Sequence, residues 1–184
     1  NSWTMRGAFY GTQVILEELG YDKENLDAYR EYVFGTFDGK LLLEALEKYT
    51  TDEIKKDIEN MEKEPFYIYI NGSNPNREEL IFENKEGQLQ TLKRQMIQFN
   101  SSGSRAVIGS DYAHSIVEGR GKGQRKGNLL LIADTRGKMM ISYLSEIFEK
   151  VYVSNMYEDA DLIQNLDEIL EKYDIEYIIW AQDV

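Results

Sequence analysis

"GNLLLIADTRGKMMISYLSEIFEKVYVSN", residues 127–155, decides the fold. Residues 129–133 form an uninterrupted apolar run between Gly127 and Asp134, too short for a helix. Such a run predicts a strand buried on both faces. A helix-forming stretch, "RGKMMISYLSEIF", follows at once, and then a second apolar strand, "KVYVSN". Further on, "DADLIQNLDEILEKY" predicts another helix and "IEYIIWA" another strand. Strands alternating with helices of this length define a βαβαβ unit, so the strands at 129–133, 151–154 and 177–180 are expected parallel in one sheet. The expected class is α/β, a three-layer arrangement around a central, mainly parallel sheet. In such sheets ligands bind beyond the carboxyl ends of the strands. Those ends present Asp134 and Thr135, Asn155, and Gln182 with Asp183.

The preceding residues read less evenly. "WTMRGAFYGTQVILEELG" predicts a helix with Ala8, Gly11, Ile15 and Leu19 on one face and Gly20 at its end. "DKENLDAYREYV" predicts a second helix, capped by Asp22, with Leu26, Tyr29 and Val33 along one side. "YVFGTFDG" reads as a short strand running into a turn, residues 40–61 are helical in composition, "PFYIYI" reads as a strand, "ELIFENKEGQLQTL" as a hairpin and "RAVIG" as a strand. No repeat or linker divides the 184 residues, so one domain is expected over 1–184.

Composition excludes several kinds of chemistry. The chain has no cysteine and one histidine, His114, so thiol catalysis and Cys/His zinc sites have no basis and no metal is expected. No fingerprint calls for a cofactor; the Gly- and Lys/Arg-rich loop at 118–128 precedes a strand rather than following one. A formal net charge of −12 disfavours nucleic acid as a partner, since phosphate neutralisation requires excess Lys and Arg. No stretch has the ~20 apolar residues of a membrane span.

Two stretches together resemble the DHHW family, which is SGNH-hydrolase-like and related to the acetyltransferases of bacterial alginate O-acetylation. "NSWTMRGAFYGTQVILEELG" is similar to the helix that follows that family's D-H-H-W signature. "NLLLIADTRGKMMISYLSEIFEKVYVSNMYED" resembles its nucleophile block, a strand, then D-S-Y-G, then a helix and a strand ending in D-L-R. "FGTFDGK" and "AVIGSDYAHSIV" have counterparts between them. The resemblance implies an SGNH-like (flavodoxin-like) fold, with this chain as the later part of a longer family protein. It further implies ester chemistry on a cell-surface polysaccharide or other acylated carbohydrate, and an extracytoplasmic or cell-surface location.

Carried over by position, the family's serine nucleophile falls on Thr135, beside Asp134. Its general-base histidine falls on Ser2, next to Trp3, which would help wall the cleft; the triad aspartate would precede Asn1. The D-L-R triplet reads Asn155, Met156, Tyr157. The amide of Arg136 and the side chain of Gln182 are the candidate oxyanion donors, the plainer reading of Gln182 being an exposed residue near the end of the chain. Serine is no base near neutral pH, and losing a positioned base costs ~10²–10⁴ in rate. Threonine keeps a hydroxyl, but its β-methyl restricts the side chain. Thr135 is thus expected to be a relic nucleophile that also caps the following helix. Two states of the site stay open: impaired acyl transfer or ester hydrolysis through a degenerate triad, and a flavodoxin-like, non-catalytic ligand-binding module with an anion at the helix start near Thr135.

Overall fold

The computed structural model describes residues 4–23, 26–37, 56, 64–71, 79–83, 89–92, 114–118, 126–134, 137–155, 157 and 162–182. The helix expected at 40–61 (Lys56 apart), the strand at 105–109, and Ser2, Trp3, Thr135 and Arg136 lie outside the described residues.

The first helix, α1 (Met5–Glu18), begins where Thr4 accepts a hydrogen bond from the Gly7 amide at 3.1 Å. It ends at Gly20, whose φ of 77° lets the chain reverse. The Gly20 and Tyr21 amides then donate to the Glu17 and Leu16 carbonyls, a Schellman closure that satisfies two end carbonyls. The buried stripe is Met5, Ala8, Phe9, Thr12, Gln13 and Leu16. Gly11, Ile15 and Leu19 only flank it, so the expected face is turned. Phe9 explains the turn, because its ring meets the rings of Tyr29 and Tyr143 edge-on at 5.2 and 5.3 Å.

The helix expected over residues 22–33 is not formed. Only a 3-10 turn, Leu26–Ala28, precedes β1 (Tyr29–Phe37), which pairs antiparallel with β2 (Glu64–Asn71). "YREYVFGTF" is aromatic and β-branched, and cross-strand partners such as Tyr67 for Val33 outweigh the helical spacing. Tyr69 is buried and donates to Glu31 at 2.7 Å.

The larger sheet has the order β4-β3-β5-β7-β6-β8, with β3 (Glu79–Glu83), β4 (Leu89–Leu92), β5 (His114–Glu118), β6 (Lys126–Ala133), β7 (Phe148–Asn155) and β8 (Ile175–Ala181). β6 pairs parallel with both β7 and β8, as the crossover pattern required. β5 joins β7 antiparallel, and the β3–β4 hairpin extends that side antiparallel too. Across β5-β7-β6-β8 the parallel pairings predominate; beyond β5 the sheet is antiparallel, with β3 and β4, neighbours in sequence, paired to each other.

Alternate residues of β6 feed two cores. Leu129, Leu131 and Ala133 pack with α1 and the segment after β6, while Leu130 and Ile132 pack with α3 (Leu166–Lys172). Each such buried branched chain contributes about 1.5–3 kcal/mol. A layer of helix thus covers each face. α3 is shorter than expected, since 162–165 form a turn before it.

The segment after β6 was expected to be one long helix. It is a 3-10 turn, Gly137–Met140, then a single α-helical turn, α2 (Ile141–Leu144), and an irregular exit to β7. Every residue from 137 to 145 is buried. Ser142 and Ser145 donate to the carbonyls three residues back, at 3.3 Å each, which competes with regular helix.

Tyr143 ties this segment to α1 by donating to the Met5 carbonyl at 3.1 Å. Burial, then the nearby Tyr69 and Glu146, pushes its hydroxyl far above the usual tyrosine range. Below the ordinary value of 10.0 the folded and unfolded chains both hold the proton, and stability is independent of this group. Above it the unfolded chain ionises first, so stability falls as pH rises until the folded group's own raised value is reached. Tyr143→Phe is expected to cost about 1 kcal/mol near neutral pH for the lost hydrogen bond. It should also flatten the alkaline decline, which urea titrations at stepped pH would measure.

Candidate functional site

The carboxyl edge of the parallel strands gathers Asp134, Asn155 and Gln182, the described residues among the polar ones singled out above; Thr135 and Asp183 lie outside the described residues. In register, Ala133 stands between Asn155 on β7 and Ala181 on β8. Asp134 follows Ala133, Asn155 ends β7 and Gln182 follows β8, so the three share one edge. Asp134 and Asn155 are buried, and Gln182 is exposed.

Asp134 shapes the turn. Its Oδ1 accepts from the Gly137 amide at 2.7 Å, its carbonyl accepts from the Lys138 amide at 3.1 Å, and its own amide donates to the Ala181 carbonyl at 3.4 Å. The Asp134 side chain thus caps the Gly137–Met140 turn, while the cap expected of Thr135 lies outside the described residues. Gly137 lies so close to the strands that a Cβ there would stand 2.6 Å from the Ala181 carbonyl oxygen. Asn155 is likewise turned inward, its Oδ1 accepting from the Tyr157 amide at 3.2 Å. Gln182 accepts from the Trp180 indole at 3.4 Å, which agrees with the exposed, plainer reading of that residue.

The direction of α1 completes the arrangement. Its far end sits at the amino edge of the sheet: the Tyr21 ring is 6.3 Å from that of Phe148, the first residue of β7, and Lys126, the first of β6, lies over Tyr21 at 4.7 Å. The Tyr21 hydroxyl donates to Tyr177 at 2.8 Å; burial, then this partner, pushes Tyr21 up to about 12. Fourteen helical residues rise about 21 Å. α1 thus starts at the carboxyl edge, near the Gly137–Met140 turn against which it packs. Thr4 and Met5 therefore stand at the edge that carries Asp134.

Three features were missed in the sequence reading. Lys138 is buried to 2% exposure beside the turn, where a lysine reads as surface. Ser154 is buried one position before Asn155. His114 pairs with Ser154, placing the chain's one histidine at the start of β5 on this same edge. Counting "HSIVE" backwards along an antiparallel strand would have found the last, but only with the pairing partner known. Among the described residues no three His, Cys, Asp or Glu side chains could together hold a metal, and no helix is long and apolar enough to cross a membrane.

Fold and edge together define a mixed α/β domain with its candidate site at the end of the central strand. The chain belongs to the DHHW family, whose sequence model, described as DHHW protein, matches residues 1–154. Its fold is that of solved structures of low sequence identity. PatB1 of Bacillus cereus with a sulfonyl adduct superposes with a TM-score of 0.70 at 13% identity, over 100% of this chain and 58% of that one. A DHHW family protein from Eubacterium siraeum gives a TM-score of 0.69 at 15% identity, over 98% of this chain and 56% of that one. The chain therefore spans less than two thirds of the length of these structures. A search of curated proteins finds no match to the sequence.

Proposed function

We propose that this domain is the later part of an SGNH-like, extracytoplasmic protein that acts on an acylated surface glycan, with catalysis impaired by a degenerate triad. Thr135 occupies the nucleophile position in the sequence, Asp134 holds the turn, and the Arg136 amide is a candidate oxyanion donor. Ser2 stands where the general base belongs. The observation that carries the reading is the direction of α1, which starts at the edge where the Asp134 turn ends. Two segments far apart in sequence serve one edge, as a shared site requires. Ester chemistry, rather than anion binding, is favoured by the shortness of the helical segment after the turn. A four-residue 3-10 turn and α2 align too few peptides to make a strong positive pole. The fold relative with a sulfonyl adduct supports the same reading, because a nucleophilic side chain takes up such a group from an electrophilic sulfonyl reagent.

The test is labelling with a sulfonyl fluoride, followed by intact mass. The chain is expected to label slowly, with the adduct on Thr135, and Thr135→Ser is expected to label faster because the β-methyl is gone. Rapid labelling elsewhere, unchanged in Thr135→Ala, would remove Thr135 from the site.

A further inference from the structure

The sheet is open along β8. Among the described residues β8 pairs with β6 on one side and has no strand on the other. Its sequence, "IEYIIWA", carries no lysine or proline, the residues that commonly guard an edge against further pairing. One of its faces is open as well. α3 packs over Leu130, Ile132 and Tyr152, whereas Ile178 and Trp180, the register partners of Leu130 and Ile132, are 49% and 53% exposed. Parallel strands are ordinarily covered on both faces. An apolar edge beside an apolar half-face calls for a partner.

The crossovers of the sheet fix where that partner comes from. The connection from β6 to β7 passes over the face that carries α1 and α2, and the one from β7 to β8 over the face that carries α3. Right-handed crossovers move one way along a sheet on one face and the opposite way on the other. On the α1 face the movement is therefore from the β8 side towards β7. α1 runs from the carboxyl edge to the amino edge, the direction of a crossover helix. A strand leading into α1 accordingly ends at the carboxyl edge, parallel to β6, and lies on the β8 side of β6, the next parallel strand along the chain. The place beside β6 is held by β8, so the open place is the far side of β8. The solved relatives have length for such a strand, since this chain covers 58% and 56% of them. We propose that the segment preceding Asn1 in the longer protein adds a strand parallel to β8 along its free edge, and that the same upstream part covers Ile178 and Trp180. The inference rests on the reading of this chain as the later part of a longer protein and requires no ester chemistry. Such a strand ends beside Gln182, so upstream residues complete the edge that carries Asp134.

The mass of the protein from its own cells is read first. A mass of 21.4 kDa, that of this chain alone, removes the longer-protein reading and the added strand with it. In a longer protein, hydrogen exchange followed by mass spectrometry then reads the edge. The β8 amides are expected to exchange as slowly as those of β6, within about tenfold, because both strands are paired on each side. Amides that face out from an open edge would exchange faster by ~10²-fold or more, and that result would overturn the proposal. In the same protein, p-benzoyl-phenylalanine replaces Trp180 and is irradiated, and its adduct is mapped by peptide mass. The adduct is expected on a peptide upstream of Asn1 in the same polypeptide. Adducts that join two copies would assign the edge to a dimer, and adducts confined to residues 1–182 would leave it uncovered; either overturns the added strand while the longer-protein reading stands. The exchange data come from the unsubstituted protein, so a misfolded Trp180 variant does not shield the proposal from refutation.

Discussion

Gly137→Ala is expected to lower stability by about 2 kcal/mol and to loosen the candidate site. The backbone at Gly137 is not left-handed, so alanine is not barred by conformation; space decides. The added carbon would meet the Ala181 carbonyl oxygen at 2.6 Å, the Ala181 Cβ at 2.9 Å and the Ala133 Cβ at 3.0 Å. The first is backbone of β8 and cannot turn aside as a flexible side chain would. Overpacking of this kind costs about 1–3 kcal/mol, and the stiffer unfolded chain returns about 0.4–1 kcal/mol of it. In a chain of this size the melting temperature should fall by roughly 5 °C. The turn has to move away from β6 and β8, which lengthens the 2.7 Å bond from the Gly137 amide to Asp134. Sulfonyl labelling of Thr135 should therefore slow by more than the stability loss alone explains. A melting temperature within 1 °C of the parent would show that the turn does not pack against the strands as described.

The largest expected effect is on turnover. If the chain is the later part of a longer protein, as proposed, then in that protein, given an upstream aspartate and an open cleft, Ser2→His with Thr135→Ser is expected to raise hydrolysis of small acetyl esters by ~10²–10⁴ over the parent, the range a positioned base supplies. Either change alone should give much less, because nucleophile and base act as a unit. The parent should show weak turnover at most. Robust parental turnover that disappears in Thr135→Ala would mean that another group supplies the base, and the triad would not be degenerate.

The legible parts of the fold share one physical property. β6 and β7 are apolar runs buried in the middle of the sheet, so their sequence carries their environment; β8, the edge strand with Ile178 and Trp180 exposed, is legible from its β-branched and aromatic run, and the strand expected at 175–181 is β8. The α1 end was legible because only glycine is comfortable at the φ of 77° found at Gly20. Tyr29 and Val33 misled, because a spacing of four suits one helical face and equally two residues of one strand face. Tyr29 is drawn into a strand by partners remote in sequence, the Asn71 pairing and the rings of Phe9 and Tyr143. The short helix after β6 was illegible for a related reason: its serines prefer carbonyls three residues back once the segment is buried on all sides. At the site, the address at the strand ends followed from strand order alone. Asp134 as a cap did not, since its side chain meets the Gly137 amide only through the tight turn after β6. His114 could be assigned to the same edge only through its pairing with Ser154.

The central claim is that the start of α1 and the turn after β6 form one site. The chain has no cysteine, so Ser2→Cys with Thr135→Cys supplies the only two thiols. The direct measurement is intramolecular cross-linking of this pair by short bifunctional thiol reagents, read by intact mass in the native protein. The account predicts efficient closure by the shortest reagents, lost in denaturant. Two freely reactive thiols that never cross-link in the folded chain would place Ser2 away from the Asp134 turn and contradict it.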